Sequence, residues 1–217
     1  MFLSSEERSL NNEVTALTAI RNCYSPLKPS EIIDAEGEKY FGNGGAESSR
    51  LFNMIVNSKH TSTLEGISFV FIIEDVSRAL MAQLTRSRHM SYSIKSQRYV
   101  KYGSRDKSGG FDFVKAPSLD NNDEAEMIFF QAMHEAQKYY DELRAAGVPA
   151  EDARSVLPNA ATTHIVMSCN LRAVLEFYQK RRMGGGAQWE IATLAEKIRE
   201  LVEQEEPWTK SFFEVVK

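Results

Sequence analysis

The run DEAEMIFFQAMHEAQKYYDELRAA that follows Asn122 is marked as a helix at both ends. Asn122 and the acids after it suit an N-cap and the positive end of a helix dipole, and the run stops near Ala146, at Gly147 before Pro149. Two other stretches carry the same periodicity. From Glu6 to Cys23, Val14, Leu17 and Ile20 recur at helical spacing, which predicts a half-buried helix. From Ala187 to Gln204, Trp189, Ile191, Leu194, Ile198 and Leu201 fall on one stripe, with Lys and Glu opposite. Shorter helices are expected over Ala46 to Ser58, Ser77 to Arg86 and Asn170 to Arg182.

Strand signals are fewer. GISFVFIIEDV, from Gly66, alternates Ile67, Phe69 and Phe71 against an equally apolar second face, which predicts a sheet covered by helices on both sides. Thr162 to Ser168 is a second strand candidate and Arg98 to Tyr102 a short third. Gly42 to Gly45 and Gly103 to Gly110 read as loops. The pattern is that of one α/β domain over residues 1–217, richer in helix than in sheet.

The composition of 217 residues, 42% hydrophobic and 26% charged, supplies a real core. No apolar run approaches the roughly 18 to 20 residues that cross a bilayer, and MFLSSEERSLNNEV has acids where a secretory signal is apolar, so no membrane association and a cytoplasmic location are expected. Cys23 and Cys169 stand far apart with no CxxC, and both are expected to be small buried residues. A net charge of -4 disfavours a dedicated nucleic-acid binder.

Against that negative balance, Arg86, Arg88, Lys95, Arg98, Lys101 and Arg105 follow one another with no acid between Arg86 and Arg105. Ser87, Ser91, Ser93 and Ser96 are interleaved with them, so planar guanidinium forks sit beside short hydroxyls, a chemistry suited to phosphate. Arg154, Arg172, Lys180, Arg181 and Arg182 add cations elsewhere. Three readings stand side by side: surface charges at helix C-termini, a nucleic-acid groove with Tyr92, Tyr99 and Tyr102 as stacking platforms, or a site for a small phosphorylated ligand or nucleotide cofactor.

No GxxxxGK(S/T) and no GxGxxG after a strand is present, which argues against a nucleoside-triphosphatase loop and a classical dinucleotide fold. Gly184, Gly185 and Gly186 read as a helix stop or a close backbone approach. His60, His89, His134 and His164 lack metal-ligand spacing, and no GxSxG accompanies them, so neither a metal site nor a serine hydrolase is expected.

The motifs together resemble those of the flavin-dependent thymidylate synthases, which make dTMP from dUMP. The family signature, RHR with a later Ser and Arg, reads here Arg86-Ser87-Arg88, Ser96 and Arg98. STLEG from Ser62, ARSVLPNAATTHIVMSCNLRA from Ala153 and RMGGGAQWEI from Arg182 follow in the family's order. The resemblance implies the fold of the thymidylate synthase-complementing proteins, with a small, mostly antiparallel central sheet surrounded by helices. It also implies a homotetramer whose active sites are shared between subunits. Carried over by motif position, Gln83, Arg86, Ser96, Gln97, Arg98, Arg154 and Arg182 would bind dUMP, with Arg182 and Ser96 as the catalytic pair. Ser62, Arg86, Ser87, Arg88, Asn170, Arg172 and Gln188 would bind FAD.

NADPH and methylenetetrahydrofolate are the implied co-substrates: the folate gives one carbon to C5 of dUMP, and the NADPH-reduced flavin gives hydride. Negative charge then develops on the uracil oxygens, and a preoriented guanidinium stabilises it. No protein nucleophile is required, and Ser96 has no adjacent base that would make it one. The chain departs from the family's pattern at three positions: Ser87, Gly66 and Gly186 stand where histidines are found in many members. The same scaffold could therefore serve a pyrimidine C5 hydroxymethylase, a UMP methylase, or a nucleotide-binding protein without catalysis.

Overall fold

The computed structural model describes residues 11–216. In chain order its elements are α1 (Asn12–Asn22), α2 (Pro29–Phe41), α3 (Ala46–Asn57), β1 (Ser68–Ser77), α4 (Arg78–Leu84), β2 (Met90–Ile94), α5 (Asp123–Ala145), α6 (Ala150–Ala153), β3 (Thr162–Asn170), α7 (Leu171–Arg181), α8 (Trp189–Glu205) and α9 (Lys210–Val215). The chain is helix-rich with one small antiparallel sheet of strand order β1-β3-β2. Its contacts fall into two compact units, Met1–Val70 with Ser168–Lys217, and Phe71–Met167. Among the described residues no helix is long and apolar enough to cross a membrane.

In the first unit α1 begins at Asn11, whose Oδ1 accepts from Val14 N–H. The helix buries Ala16, Leu17 and Ile20, and α2 and α3 add Ile32, Tyr40, Phe52, Ile55 and Val56. Phe52, Trp208 and Phe212 pack ring against ring at 5.0 to 6.3 Å, and Tyr178 meets Phe213 at 5.3 Å. Each such apolar side chain taken fully from water contributes roughly 1.5–3 kcal/mol. α7 and α8 lie together, α8 burying Ile191, Leu194, Ile198 and Val202.

In the second unit α5 packs on the loop that follows β2. Tyr140 and Tyr102 are buried with Ala153 of α6, and Val100, Phe111, Leu143 and Leu157 close around them. Tyr140 Oη accepts from Tyr102 N–H at 3.1 Å, and Gln137 Nε2 donates to Tyr102 O at 2.8 Å, so α5 holds both main-chain groups of Tyr102.

The β1–β3 register contains one extra residue on β1. Leu171 N–H donates to Ile67 O at one end and Arg78 N–H to Ala161 O at the other, and β1 has one more residue between these bonds than β3. The surplus is absorbed at Asp75, whose φ of 53° is left-handed and whose N–H donates to His164 Nδ1 at 3.2 Å. This is the geometry of a β-bulge, where strand twist increases before α4 begins.

The expected long helix is present with Asn122 as its N-cap, and the helices expected from Ala46, Ser77, Asn170 and Ala187 start within two residues of those positions. Residues 6–10 of the first expected helix lie outside the described residues. Several expectations are corrected. Arg98 to Tyr102 is no strand: Val100 N–H donates back to Ser96 O in a turn, and the third strand is instead β2. On α8, Trp189 and Leu201 are 37% and 49% exposed, so the buried stripe runs through Val202 instead. Cys23 is exposed because it falls at the C-cap of α1, past the buried stripe. β1 is not covered on both faces: Ile73 is buried, but Ile72 is 75% exposed, and Val166 opposite it on β3 is 45% exposed. The alternation of apolar residues marks both faces as dry, yet no helix of the described chain lies over the second. α2 escaped the sequence reading, although Pro29 at its first turn and Glu31 hydrogen-bonded to Lys28 N–H are start signals.

Candidate functional site

The cations that the sequence scatters are partly gathered in the second unit. β1 ends at Ser77, a buried N-cap whose Oγ accepts from Leu80 N–H at 2.9 Å. The N-terminus of α4 is pinned by Arg78 N–H to Ala161 O and Ala79 N–H to Asn159 O. At the other end of α4, Gln83 turns its Nε2 back to Ala79 O. Arg86 and Arg88 then project, exposed, from a turn that Tyr92 Oη holds by donating to Leu84 O and Ser87 O.

Beyond β2 the chain turns through Ser96, Gln97 and Arg98. Lys95 N–H donates to His164 O, and Ser96 Oγ accepts from Arg98 N–H at 3.2 Å. Gln97 is 5% exposed, and its Nε2 has no hydrogen-bond partner among the described residues. A buried amide left unmatched costs roughly 1–3 kcal/mol, which marks a place where a ligand carbonyl would be welcome.

Arg98 Nε donates to the carboxylate of Glu151 at 3.0 Å, and Arg154 Nε donates to the main-chain carbonyl of the same residue at 2.9 Å. Arg78 joins them. Burial, and after it the charge of Arg154, pulls the Arg78 guanidinium below its ordinary pKa, while Tyr102 acts in the opposite sense. Lys95 Nζ stands over the Tyr102 ring at 5.6 Å. Three guanidiniums and an ammonium, from three separate parts of the chain, thus share one neighbourhood, a charge arrangement that calls for an anion.

The remaining candidates fall in the first unit. Arg172 Nη1 donates to Glu65 of the STLEG segment at 2.7 Å and its Nε to Glu176 at 3.0 Å; the bonds to Glu176 and then Glu65 raise its pKa. Ser62 lies in the turn Thr61–Leu64 just before. Asn170 caps α7 through Oδ1 and Gln188 caps α8 through Oε1, which leaves each with an amide NH2 to offer. A cavity of about 390 Å3 opens here, lined by Asn57, Lys59, Thr61, Arg172, Glu176 and Lys180 among others. Arg182 follows α7, and its Nε is buried with no hydrogen-bond partner among the described residues. Met183 N–H is held by Glu196 at 3.3 Å, and Gly184 and Gly186 have φ of 78° and 80°. A histidine at position 186 would be strained by that left-handed backbone, whereas at Gly66 an added Cβ meets nothing nearer than 3.9 Å.

Arg78 and Glu151 were not singled out from the sequence. For Arg78 a signal existed: a cation in the first turn of a helix opposes the dipole, and such a mismatch asks for a compensating anion. Cys169 is buried, and burial pushes its thiol up to about 12, which fits a structural residue and no nucleophile.

The family model described as Thymidylate synthase complementing protein matches residues 7–208. The chain is 34% identical over 218 residues to the flavin-dependent thymidylate synthase of Clostridium tetani, covering 93% of this chain and 82% of that one. It is 38% identical over 190 residues to the enzyme of the same name from Geobacter sulfurreducens, covering 88% and 77%. Among solved structures, a UMP/dUMP methylase from Streptomyces cacaoi bound with 5-Br dUMP superimposes with a TM-score of 0.72 at 21% identity, over 93% of this chain and 89% of that one.

Proposed function

The chain belongs to the thymidylate synthase complementing protein family, and on that premise we propose that it converts dUMP to dTMP by reductive methylation at C5. The observation that carries this reading is the meeting of Arg98 and Arg154 on Glu151 with Arg78 beside Arg154. A nucleoside monophosphate is a compact dianion, and guanidinium forks match its oxygens in pairs. In this reading Gln83, Arg86, Ser96, Gln97, Arg98, Arg154 and Arg182 hold the nucleotide. The buried amide of Gln97 suits a pyrimidine carbonyl, and Ser96, already accepting from Arg98 N–H, keeps its own proton to donate. Arg182 stabilises the charge that develops on the ring oxygens as C5 bonds to the incoming carbon.

For FAD, the proposed set draws Ser62, Asn170, Arg172 and Gln188 from the first unit and Arg86, Ser87 and Arg88 from the second. Lys59, Arg172 and Lys180, with Thr61 and Asn57, line a cavity whose donors suit a pyrophosphate, and Ser62, Ser87, Arg88, Asn170 and Gln188, with Arg86, complete the proposed set. When bound, the flavin supplies reducing equivalents drawn from NADPH, and methylenetetrahydrofolate supplies the carbon. We take residues 1–217 as one catalytic domain, since the family match runs through both units. A cytoplasmic homotetramer with shared sites is the assembly this reading expects, and the bare apolar pair Ile72 and Val166 supports burial against another chain.

Purified protein should be yellow, and NADPH should bleach it. Tritium should leave C5-labelled dUMP, and the product should have the mass of dTMP; a mass greater by one oxygen identifies a hydroxymethylase instead. Arg98→Ala should abolish dUMP binding and keep the flavin content. Unchanged nucleotide affinity in that variant overturns the assignment.

A further inference from the structure

Glu151 bonds to both Arg98 and Arg154. Its side chain takes Arg98 Nε and its main-chain carbonyl takes Arg154 Nε. Among the described residues neither arginine has a hydrogen-bond partner for its Nη atoms, so both forks are fastened at the neck with their tips open. The fastening point is firm. Pro149 is the N-cap of α6, its carbonyl accepting from Asp152 N–H and Ala153 N–H, and Ala153 is wholly buried against the Tyr102–Tyr140 core. Arg98 in contrast is an exposed side chain on a turn, and among the described residues its guanidinium meets Glu151 and, at 5.8 Å, the Tyr99 ring.

We infer that Glu151 is a positioning residue of the nucleotide site, holding Arg98 and Arg154 as a pair aimed at one anion; this rests on the dUMP reading given above. A carboxylate beside a phosphate site also repels the ligand. Here Arg98 and Glu151 are 57% and 47% exposed, so water and salt weaken that repulsion. The restraint prevails because an arginine ordered in advance does not have to be ordered by the ligand. Only the Arg98 arm depends on the side chain, since the Arg154 arm uses the main chain and survives any substitution.

The test is calorimetric titration of dUMP into the flavin-loaded protein. Glu151→Ala should weaken binding roughly three- to tenfold, the range expected for freeing one long side chain. Glu151→Gln, which still offers an oxygen to Arg98 Nε, should recover most of the loss. Flavin content and thermal midpoint should not change. On an Arg98→Lys background, Glu151→Ala should weaken binding no further, because its effect acts through the guanidinium. Glu151→Ala that binds dUMP as tightly as the parent or more tightly overturns the inference. So does an equal loss on the Arg98→Lys background, which would make the effect structural. If Arg98→Ala itself leaves dUMP affinity untouched, the dUMP reading falls and the inference with it. If Arg98→Ala loses affinity but the Glu151 variants do not, only the inference falls.

Discussion

Replacing Tyr140 by Phe isolates a single buried hydrogen bond that holds the loop behind the arginines. Tyr140 is 0% exposed and Tyr102 4% exposed, and the bond between Tyr140 Oη and Tyr102 N–H is 3.1 Å long. Phe keeps the ring and its packing on Val100, Phe111 and Leu143, so no cavity larger than a hydroxyl opens. What is lost is the acceptor for a buried amide. Leaving such a group unmatched costs roughly 1–3 kcal/mol, more than the net worth of an ordinary hydrogen bond. At roughly 2–4 °C per kcal/mol for a chain of this size, the thermal midpoint should fall by about 2–12 °C. Urea unfolding should show a lower midpoint at constant slope. Hydrogen exchange should locate the damage, with the Tyr102 amide opening faster while those of α8 stay protected. A loss under about 0.5 kcal/mol, the range of surface substitutions, or exchange unchanged at Tyr102, would refute the reasoning.

Ser77→Ala removes the buried N-cap of α4 and should lower unfolding free energy by about 1–2 kcal/mol in urea; no change would mean that the Leu80 amide finds another acceptor. A thiol reagent at mildly alkaline pH should modify exposed Cys23 and leave buried Cys169 untouched until the protein is unfolded; rapid labelling of both in the native protein would contradict the burial. Hydrogen bonds from Arg21 and then Ser25 hold the Glu36 carboxyl below its ordinary value of 4.5. The stability this gives is present above that value and lost as pH falls through the lower folded one. Glu36→Gln should therefore be less stable than the parent at neutral pH by roughly 1 kcal/mol or less, with the gap closing in acid; a gap independent of pH would exclude the ion pair as its cause.

Helix ends were legible in the sequence because caps act over three or four residues. Asn122, Ser77, Asn170 and Gln188 each accept from an amide two or three positions ahead, so the sequence alone carries both partners. The family motifs were legible for a similar reason, being short strings in a set order. β2 was hidden because MSYSI lies inside the arginine strip, and its strand character comes from pairing with β3, far along the chain. The exposure of Ile72 could not be read either, since alternation tells which residues share a face and not what covers it. Arg78 and Glu151 were passed over because their roles exist only through partners elsewhere: Arg78 through Arg154, and Glu151 through Arg98.

By itself, then, the sequence determined where α3, α4, α5, α7 and α8 begin and which residue types are available for a phosphorylated pyrimidine. The tertiary structure alone decided which arginines share an anchor, which amide is buried unmatched, and where β1 takes up its extra residue. The physical reason is range: capping and helical periodicity are satisfied within a few residues, whereas charge clustering, burial and strand register depend on segments that chain connectivity does not bring together.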